Sequence, residues 1–395
     1  MSKVTSIDSA RPQVLEFFAG IGLARLGLES AGFKTVWAND LSPDKKSMYT
    51  SHFGADSSSY LLRDIAEIEA DELPSGTSLA WASSPCTDLS LAGTRSGLGG
   101  TQSGTFWHLV RILKHLGDER PASIVLENVT GLATSHSGDD ITAAIRAFNN
   151  LGYSVDVLAI DARRFLPQSR PRLFLVGAQS PPEHSESPSP LRPDWLQWIF
   201  DDPTLLTHKA LLPEPPELVN SGLANLIELM PPDDERWWDD QRTSAFVDSL
   251  SPVQLDRLNV FRRESTIHFR TAYRRTRKGR AVWEMRPDDI AGCLRTARGG
   301  SSKQAVVEVG KGHIRVRWMT PLEYARLMGA GTYNLEASRP NQVLFGFGDA
   351  VAVPVVRWLG ENYLRPLVRG TLDEVETPAP GHGDGSLLQG ADSGE

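Results

Sequence analysis

A cysteine that follows a predicted strand is the first candidate for chemistry in this chain. Residues 79–82 form a short apolar run that predicts a buried strand, and Pro85 and Cys86 come shortly after it. A free thiol ionises near pH 8.5, so it needs a neighbouring positive charge or a helix N-terminus to act as a thiolate near neutral pH. We therefore predict that Cys86 is a nucleophile that cationic groups activate.

Charged side chains accompany two further predicted strands. One apolar run leads into Glu127, and Arg170 and Arg172 come just before another. In open α/β sheets the site lies where strands end and in the loops beside them, so these groups are expected to meet Cys86. A thiol, a carboxyl and two guanidinium groups suit nucleophilic addition to an electron-poor heteroaromatic ring. Glu127 would hydrogen-bond or protonate a ring nitrogen, and Arg172 would assist with support from Arg170.

The N-terminal segment predicts a site for a nucleotide-like ligand. Residues 14–18 form an apolar strand, a turn with Gly20 and Gly22 follows, and residues 23–31 have the pattern of a helix. Strand, glycine turn and helix begin a Rossmann-type unit. Arg25 stands where a dinucleotide-binding turn would place its third glycine, which disfavours NAD.

Acidic residues near two later strands extend this prediction. Asp40 follows the short apolar strand at residues 35–37, and a carboxylate there suits the two hydroxyl groups of a ribose. Asp64 and Ile65 precede the strand at residues 79–82 and suit the edge of an adenine. Together with the glycine turn, they indicate an adenosine-containing cofactor.

The distribution of charge bears on the partner more than the total does. The formal net charge is -8, but the residues after 370 include six Asp or Glu and no Lys or Arg, and their Gly, Pro and Ser content predicts disorder. Residues 262–280 hold eight Lys or Arg against one Glu. Local charge decides where a polyanion docks, so this segment predicts nucleic-acid binding, the alternative being a solvated face. The predicted contacts are Arg270, Arg274, Arg275, Arg277, Lys278, Arg298 and Lys303.

Length and composition exclude several classes of protein. The chain has 395 residues, enough for two or three domains, and a proline- and serine-rich stretch at residues 180–193 predicts a linker. No apolar run approaches the roughly 18 residues of a membrane span, and the polar N-terminus is not that of a signal peptide. Two cysteines argue against a disulfide framework or a zinc site. We predict a soluble intracellular protein without a metal, in which Cys293 is structural.

The order of the motifs resembles that of the cytosine-C5 methyltransferases that use S-adenosylmethionine. In sequence order they are FFAGIG at 17–22, the acidic end of strand two, RDI at 63–65, SPCTDLS at 84–90, ENV at 127–129 and QSRPR at 168–172. Two C-terminal segments, RWMTPLEYARL at 317–327 and GDAV at 348–351, resemble the family's last two motifs. The middle third of the chain carries no such motif.

The resemblance implies an α/β, Rossmann-like S-adenosylmethionine-dependent methyltransferase fold with a second, smaller target-recognition domain. It implies a catalytic domain at residues 1–179, the target-recognition domain at 180–335, a C-terminal return to the catalytic domain at 336–370 and a disordered acidic tail at 371–395. The implied cofactor is S-adenosyl-L-methionine. The cofactor-binding residues that the motifs imply are Phe18, Gly20, Gly22, Asp40, Asp64, Ile65, Pro85, Phe106, Asp349 and Val351.

The implied reaction is methylation of cytosine C5 in duplex DNA. A flipped-out base would bond through C6 to Cys86, Glu127 would engage N3 and the exocyclic amine, and Arg172 would hold the base carbonyl or a phosphate. The implied partners are duplex DNA and a companion restriction or defence system. The chain would act as a monomer on DNA, in the cytoplasm at the nucleoid and away from membranes.

Two other functions stay open, and two positions depart from the family. The same scaffold could serve an RNA cytosine methyltransferase, since one branch of the family modifies tRNA, or a catalytically silent DNA-binding protein. The long middle region favours duplex DNA, and retention of Cys86 and Glu127 disfavours a silent protein. Ser84 stands where a second proline is usual, and Asp349 where asparagine is usual. An aspartate there would face the methionine carboxylate of the cofactor unless another group intervenes.

Overall fold

A computed structural model describes residues 11–84, 104–183, 189–277, 279–295, 303–336 and 338–372. Its larger sheet has seven strands in the order β3-β2-β1-β4-β5-β7-β6, with β7 antiparallel to both of its neighbours and the other pairs parallel. The strands are β1 Gln13–Phe17, β2 Lys34–Asp40, β3 Tyr60–Leu62, β4 Leu79–Ala82, β5 Ser123–Val129, β6 Ser154–Asp161 and β7 Pro171–Ala178. The predicted α/β fold is confirmed.

Helices cover both faces of this sheet, which explains why its central strands β1, β4 and β5 are buried along nearly their whole length. The helices are α1 Leu23–Ser30, α2 Pro43–Phe53, α3 Thr105–His115, α4 Asp139–Asn149, α5 Asp194–Asp201, α6 Asp240–Asp248, α7 Pro252–Arg263, α8 Pro321–Leu327, α9 Pro340–Asp349, α10 Val353–Leu359 and α11 Arg365–Arg369. One apolar core includes residues of α1 and α8 to α11, and a second includes residues of α3 and α4. The strand order reverses between β1 and β4, where such sheets bind their ligands.

A smaller antiparallel sheet follows in the order β11-β10-β8-β9, with β8 His268–Arg277, β9 Arg280–Met285, β10 Gln304–Gly310 and β11 His313–Trp318. Indole rings build much of its core: Trp238 lies 5.4 Å from Trp283 and 5.2 Å from Trp318 between ring centroids. Strand β8 contains most of the basic segment at residues 262–280. The sequence did not predict this strand, because a run of arginines lacks the apolar alternation that marks one.

The C-terminal helices return to the larger sheet. A Cβ atom added to Gly360 would lie 2.5 Å from Cβ of Ala31, so glycine is required where this segment crosses α1. By length and composition the segment Pro340–Arg369 could also cross a membrane, but 61% of its most apolar window is buried within the protein. Such burial is typical of a core helix.

The predicted domain boundaries stay predictions, but contacts of residues after position 180 can be compared with them. The second sheet lies within the interval 180–335. Residues from the start of that interval, however, pack on the larger sheet: Arg192 forms a buried ion pair with Asp156 of β6 at 2.5 Å, and Thr207 pairs with Val155. The predicted tail lies outside the described residues from position 373 onward.

Candidate active site

Strand register brings the ends of four strands to one line. Phe17 of β1 pairs with Ala82 of β4, and Ala82 pairs with Leu126 of β5. Because β7 runs antiparallel to β5, its first residues arrive at the same line, with Arg172 opposite Val129. We call these strand ends the strand-end edge. Pairing of the backbone thus brings the end of β5 and the start of β7 together, the two segments whose charged residues the sequence analysis expected to meet.

Glu127 and Arg172 form an ion pair at the strand-end edge. Arg172 Nε lies 3.1 Å from Glu127 Oε1, and the two side chains are 16% and 8% exposed. Arg172 also donates from Nη1 to the carbonyl of Pro171 at 2.9 Å. Since both groups are charged and little water reaches them, the pair holds the carboxylate in one orientation.

Arg170 is a buried anchor behind that pair. Its Nη1 donates to the carbonyl of Leu294 at 2.7 Å, and its Nη2 donates to those of Gly348 and Ala350 at 3.1 and 2.5 Å. Burial, followed by the charge of Arg172, lowers the pKa of Arg170. Arg170 therefore joins the start of β7 to two distant segments, and its predicted support of Arg172 in the reaction stays a prediction.

Gln168 is a second anchor that the sequence analysis did not single out. Its amide donates to the carbonyl of Leu327 at 2.6 Å and accepts from the amide of Leu294 at 3.2 Å, and the residue is fully buried. Gln168 opens the QSRPR motif, so the motif itself was the signal that could have identified it.

Cys293 lies beside these arginines. Its sulfur is 3.3 Å from Arg170 Nη1 and 4.0 Å from Arg172 Nη2. Burial raises the pKa of the thiol, but the charges of Arg170, Arg172 and Arg295 outweigh burial and lower the pKa below its ordinary value. The residue expected to be merely structural thus stands at the strand-end edge, brought there by the segment that binds Gln168.

The glycine turn after β1 closes on Asp40. The amide of Gly20 donates to Asp40 Oδ2 at 3.0 Å, and the amide of Ser42 donates to Oδ1 at 2.9 Å. Gly20 has φ +58°, and a Cβ added to it would have no neighbour closer than 3.9 Å. A Cβ on Gly22, with φ +80°, would lie 2.5 Å from the Phe53 ring. Gly20 therefore leaves open space, whereas Gly22 allows α2 to pack closely.

A buried carboxyl group supports this turn from below. Glu16 of β1 is fully buried, and its Oε1 accepts from the amide of Arg25 at 3.2 Å, in the first turn of α1. Burial raises the pKa of Glu16 to about 8. The Arg25 guanidinium bonds Glu29 and Tyr49 at 2.8 and 2.9 Å, so the residue in place of a third glycine ties α1 to α2.

The other predicted cofactor residues differ in how far they are buried. Asp64 accepts from the amide of Ala66 at 2.9 Å, and Ile65 after it is buried. Phe106 and Val351 lie within the two apolar cores.

Phe18, by contrast, adopts a left-handed backbone with φ +56° beside the glycine turn. The 65% exposed side chain of Leu41, directly after Asp40, offers an apolar surface that the sequence analysis did not consider.

The predicted nucleic-acid residues of β8 divide by environment. Arg270 is buried, 3.6 Å from Asp289. Arg275 and Arg277 both reach Glu284 of β9, at 3.2 and 2.5 Å, and remain 41% and 62% exposed. We call β8 and β9 together the basic ribbon.

The basic ribbon begins next to the strand-end edge. A Cβ on Gly292, the neighbour of Cys293, would lie 3.7 Å from the ring of Tyr273. Side chains alternate along a strand, so Arg275 and Arg277 continue the face of Tyr273, whereas the exposed Arg274 points to the other face. Lys303 donates to Asn341 of α9 at 2.8 Å.

Several predicted site residues lie outside the described residues: Pro85, Cys86, Lys278 and Arg298. The described chain before Cys86 ends at Ser84, two residues beyond β4. In the ranges that the structure covers, no group of three or more His, Cys, Asp or Glu is placed to hold a metal ion.

Comparison with known families now identifies the chain. The family model for C-5 cytosine-specific DNA methylase matches residues 13–365. The chain belongs to this family. It is a DNA cytosine-5 methyltransferase, and the resemblance seen in its motifs is confirmed.

The curated relatives of this methyltransferase are named type II methyltransferases. It is 26% identical over 361 residues to the type II methyltransferase M.Bsp6I of Bacillus sp. (strain RFL6), a match that covers 90% of this chain and 99% of the relative. It is 32% identical over 198 residues to the type II methyltransferase M.MspI of Moraxella sp., covering 48% of this chain and 46% of the relative.

Solved structures show the same fold. S. pombe Dnmt2 methyltransferase superposes with a TM-score of 0.58 at 18% identity, covering 90% of this chain and 99% of the other. A putative DNA modification methyltransferase encoded within a prophage of E. coli gives 0.54 at 14% identity, covering 89% and 97%.

Proposed function

We propose that the enzyme methylates C5 of a cytosine flipped out of duplex DNA, through a covalent bond between Cys86 and C6, with S-adenosyl-L-methionine as methyl donor. The observation that carries this proposal is the Glu127–Arg172 pair at the strand-end edge. β4 ends at the same edge, and Cys86 follows two residues after Ser84 in the sequence. The strand that precedes Cys86 in the sequence is therefore adjacent to the strand that carries the carboxyl, and the strand that carries the cation is adjacent to that one.

Bond changes at the base follow from these groups. The Cys86 thiolate bonds to C6 while the Glu127 carboxyl donates a proton to N3 and accepts a hydrogen bond from the exocyclic amine, which makes C5 electron-rich. C5 then gains the methyl group, and the electron pair of the broken bond stays on the donor sulfur. C5 gives its proton to water, N3 returns its proton to Glu127, and the bond between sulfur and C6 breaks to release the thiolate and restore the aromatic ring. Arg172 orients Glu127 and binds the base carbonyl or a phosphate, and Arg170 fixes the backbone beneath both.

The turn after β1 fits the cofactor. When bound, S-adenosylmethionine supplies an electrophilic methyl group on its sulfonium sulfur. Asp40 stands at the end of β2 to bind the ribose, and the open side of Gly20 allows a ligand to approach the backbone. Phe18, Gly22, Asp64, Ile65, Pro85, Phe106, Asp349 and Val351 complete the proposed cofactor set.

Duplex DNA is the proposed substrate because the basic ribbon starts beside the strand-end edge. Its exposed arginines extend along one face away from Tyr273, where they can bind phosphates while the flipped base occupies the edge. A base leaving the stack costs a few kcal/mol, which such contacts offset. The enzyme would act as a monomer in the cytoplasm at the nucleoid, beside a companion restriction or defence system.

Bisulfite sequencing tests the reaction directly. The chain is expressed in a host that lacks cytosine-5 methylation, and both genomic DNA and tRNA are converted and sequenced, with Cys86→Ser as the control. We expect protected cytosines in one recurring DNA motif with the wild type and none with the variant. Protection confined to tRNA would instead establish the RNA alternative, and no protection in either would support a silent binding protein.

A further inference from the structure

A lysine and an aspartate form an ion pair across the opening of the glycine turn. Lys45 Nζ lies 3.1 Å from Asp349 Oδ2, and the side chains are 24% and 39% exposed. Lys45 is in the first turn of α2, just after β2, and Asp349 ends α9. The nearest atom to a Cβ placed on Gly20 would be Lys45 Cδ, at 3.9 Å. The lysine stem therefore borders the space that Gly20 leaves open.

Each charge of this pair stands at the helix end that disfavours it. The N-terminus of a helix carries partial positive charge and the C-terminus partial negative charge, so a lysine in the first turn and an aspartate in the last are both destabilising by a few tenths of a kcal/mol to about 1 kcal/mol. Helix stability therefore does not explain the placement of Lys45 or Asp349. Their mutual attraction across the turn offsets the cost.

The aspartate is fixed on its other side. Arg170, fully buried, donates to the carbonyls of Gly348 and Ala350, the two neighbours of Asp349 in the chain. The backbone of Asp349 is thus held to the strand-end edge, while the flexible stem of Lys45 can adjust. One partly exposed cation and one partly exposed anion therefore lie beside the same opening, with the anion anchored and the cation able to move.

We propose that Lys45 is a specificity residue for the amino-acid end of the cofactor. S-adenosylmethionine carries a carboxylate at its amino-acid end, and the Lys45 ammonium presents the complementary charge. Lys45 binds the carboxylate and neutralises Asp349, which would otherwise repel it. This inference rests on the proposed function, because it assumes that the opening at Gly20 holds that cofactor.

Calorimetry with two nucleosides tests the assignment. S-adenosylhomocysteine has the amino-acid end, and 5′-methylthioadenosine lacks it. We expect Lys45→Met to weaken S-adenosylhomocysteine binding about 10- to 100-fold, the scale of a charge-assisted contact, and to change 5′-methylthioadenosine binding less than about twofold. Lys46→Met, one residue along the same helix, should change neither. The double variant Lys45→Met with Asp349→Asn should recover much of the loss, because the unpaired carboxylate is gone.

The outcomes separate three cases. Unchanged S-adenosylhomocysteine affinity in Lys45→Met, or equal loss of both nucleosides, overturns the specificity role. Absence of recovery in the double variant overturns neutralisation of Asp349. A wild-type chain that binds neither nucleoside contradicts the proposed cofactor itself, and this inference with it. Thermal unfolding of each variant, expected within a few degrees of the wild-type midpoint because only a partly exposed pair is altered, shows that the comparison is made on folded protein.

Discussion

The arginines at the strand-end edge are largely buried, whereas the paired arginines of the basic ribbon are much more exposed. At the start of β7, Arg170 is 1% exposed and Arg172 is paired to a nearly buried carboxylate. Along the basic ribbon, Arg275 and Arg277 share Glu284 and stay 41% and 62% exposed. The strand-end edge therefore holds its guanidinium groups in single orientations, whereas those of the ribbon can rearrange.

The difference teaches what each region can do. A fixed, poorly hydrated pair suits chemistry, since misplacement by a fraction of an ångström is costly. Exposed pairs contribute little to stability, and their arginines can exchange a carboxylate for a phosphate, as the proposed contact with DNA requires. Glu127 pairs with an arginine at the strand-end edge and Glu284 with the arginines of the basic ribbon, so matched substitutions of these two carboxylates can test the contrast.

The largest expected effect is at the nucleophile. Cys86→Ser should lower turnover by about 10³-fold or more, because a hydroxyl near neutral pH is a far poorer nucleophile than a thiolate. The matched control is Cys293→Ser, which should retain most of the activity, since a hydroxyl can still accept from Arg170. Methyl transfer to a duplex at saturating cofactor measures both.

A trapping experiment supports that test. Wild-type enzyme on a duplex with 5-fluorocytosine at the target should form a denaturation-resistant complex, since fluorine cannot leave as the proton does. Cys86→Ser retaining more than a tenth of the wild-type rate, or no adduct on a verified site, would count against covalent attack.

Removing the ribbon's charge should come next in size. Replacing Arg274, Arg275, Arg277 and Lys278 with alanine should flatten the slope of log K against log salt by roughly 3 units, about 0.9 for each phosphate contact. Binding at physiological salt should weaken on the order of 10²- to 10³-fold on cognate and scrambled duplexes alike, with the preferred motif retained.

Arg357→Ala on α10 is the control for loss of a surface charge away from the ribbon, and it should leave the slope of log K against log salt unchanged. An unchanged slope in the fourfold variant would show a solvated face, and loss on the cognate duplex alone would make these residues base readers. Because Arg274 faces away from Tyr273, restoring it alone should recover less of the slope than restoring Arg275.

The two carboxylates provide the third contrast. Glu127→Gln should lower the single-turnover rate about 10²-fold, the usual scale for a positioned acid or base. Glu284→Gln in the ribbon should leave that rate nearly unchanged and tighten DNA binding severalfold, because Arg275 and Arg277 lose their competing anion. Equal effects of the two substitutions on the rate would erase the distinction between the regions.

The smallest effect concerns the carboxyl group beneath the strand-end edge. Burial raises the pKa of Glu16 from 4.5 to about 8, so the folded protein binds a proton that the unfolded chain releases. Stability from this group is therefore full below about pH 4.5 and falls as the pH rises through 8. Between pH 5 and 8.5 the unfolding midpoint should drop by about 5 °C more in wild type than in Glu16→Gln. If the unfolding midpoints of wild type and Glu16→Gln changed equally with pH, the pKa of Glu16 would not be raised.

Sequence alone determined much of the catalytic half. Strand, glycine turn and helix around Gly20 were predictable because apolar runs and positive-φ glycines are local signals, and β1, β2, β4, β5 and β7 lie where the runs predicted them. The motif order was enough to indicate the family. The approach of Glu127 to the arginines did not follow from the runs alone, because residues that precede a strand reach the end of its neighbour only where the two strands are antiparallel, as β5 and β7 are.

Only the tertiary structure decided which charged groups face each other. Arg170 and Arg172 look alike in sequence, yet one anchors carbonyls near Asp349 and the other pairs with Glu127. Arg170 lies just before β7 and reaches distant segments, whereas Arg172 lies within the strand, opposite Val129 of β5. Cys293, expected to be inert, reached the edge through the segment bound by Gln168. The pairing of Lys45 with Asp349, and of Glu284 with the ribbon, depends on contacts between distant segments that no local pattern encodes.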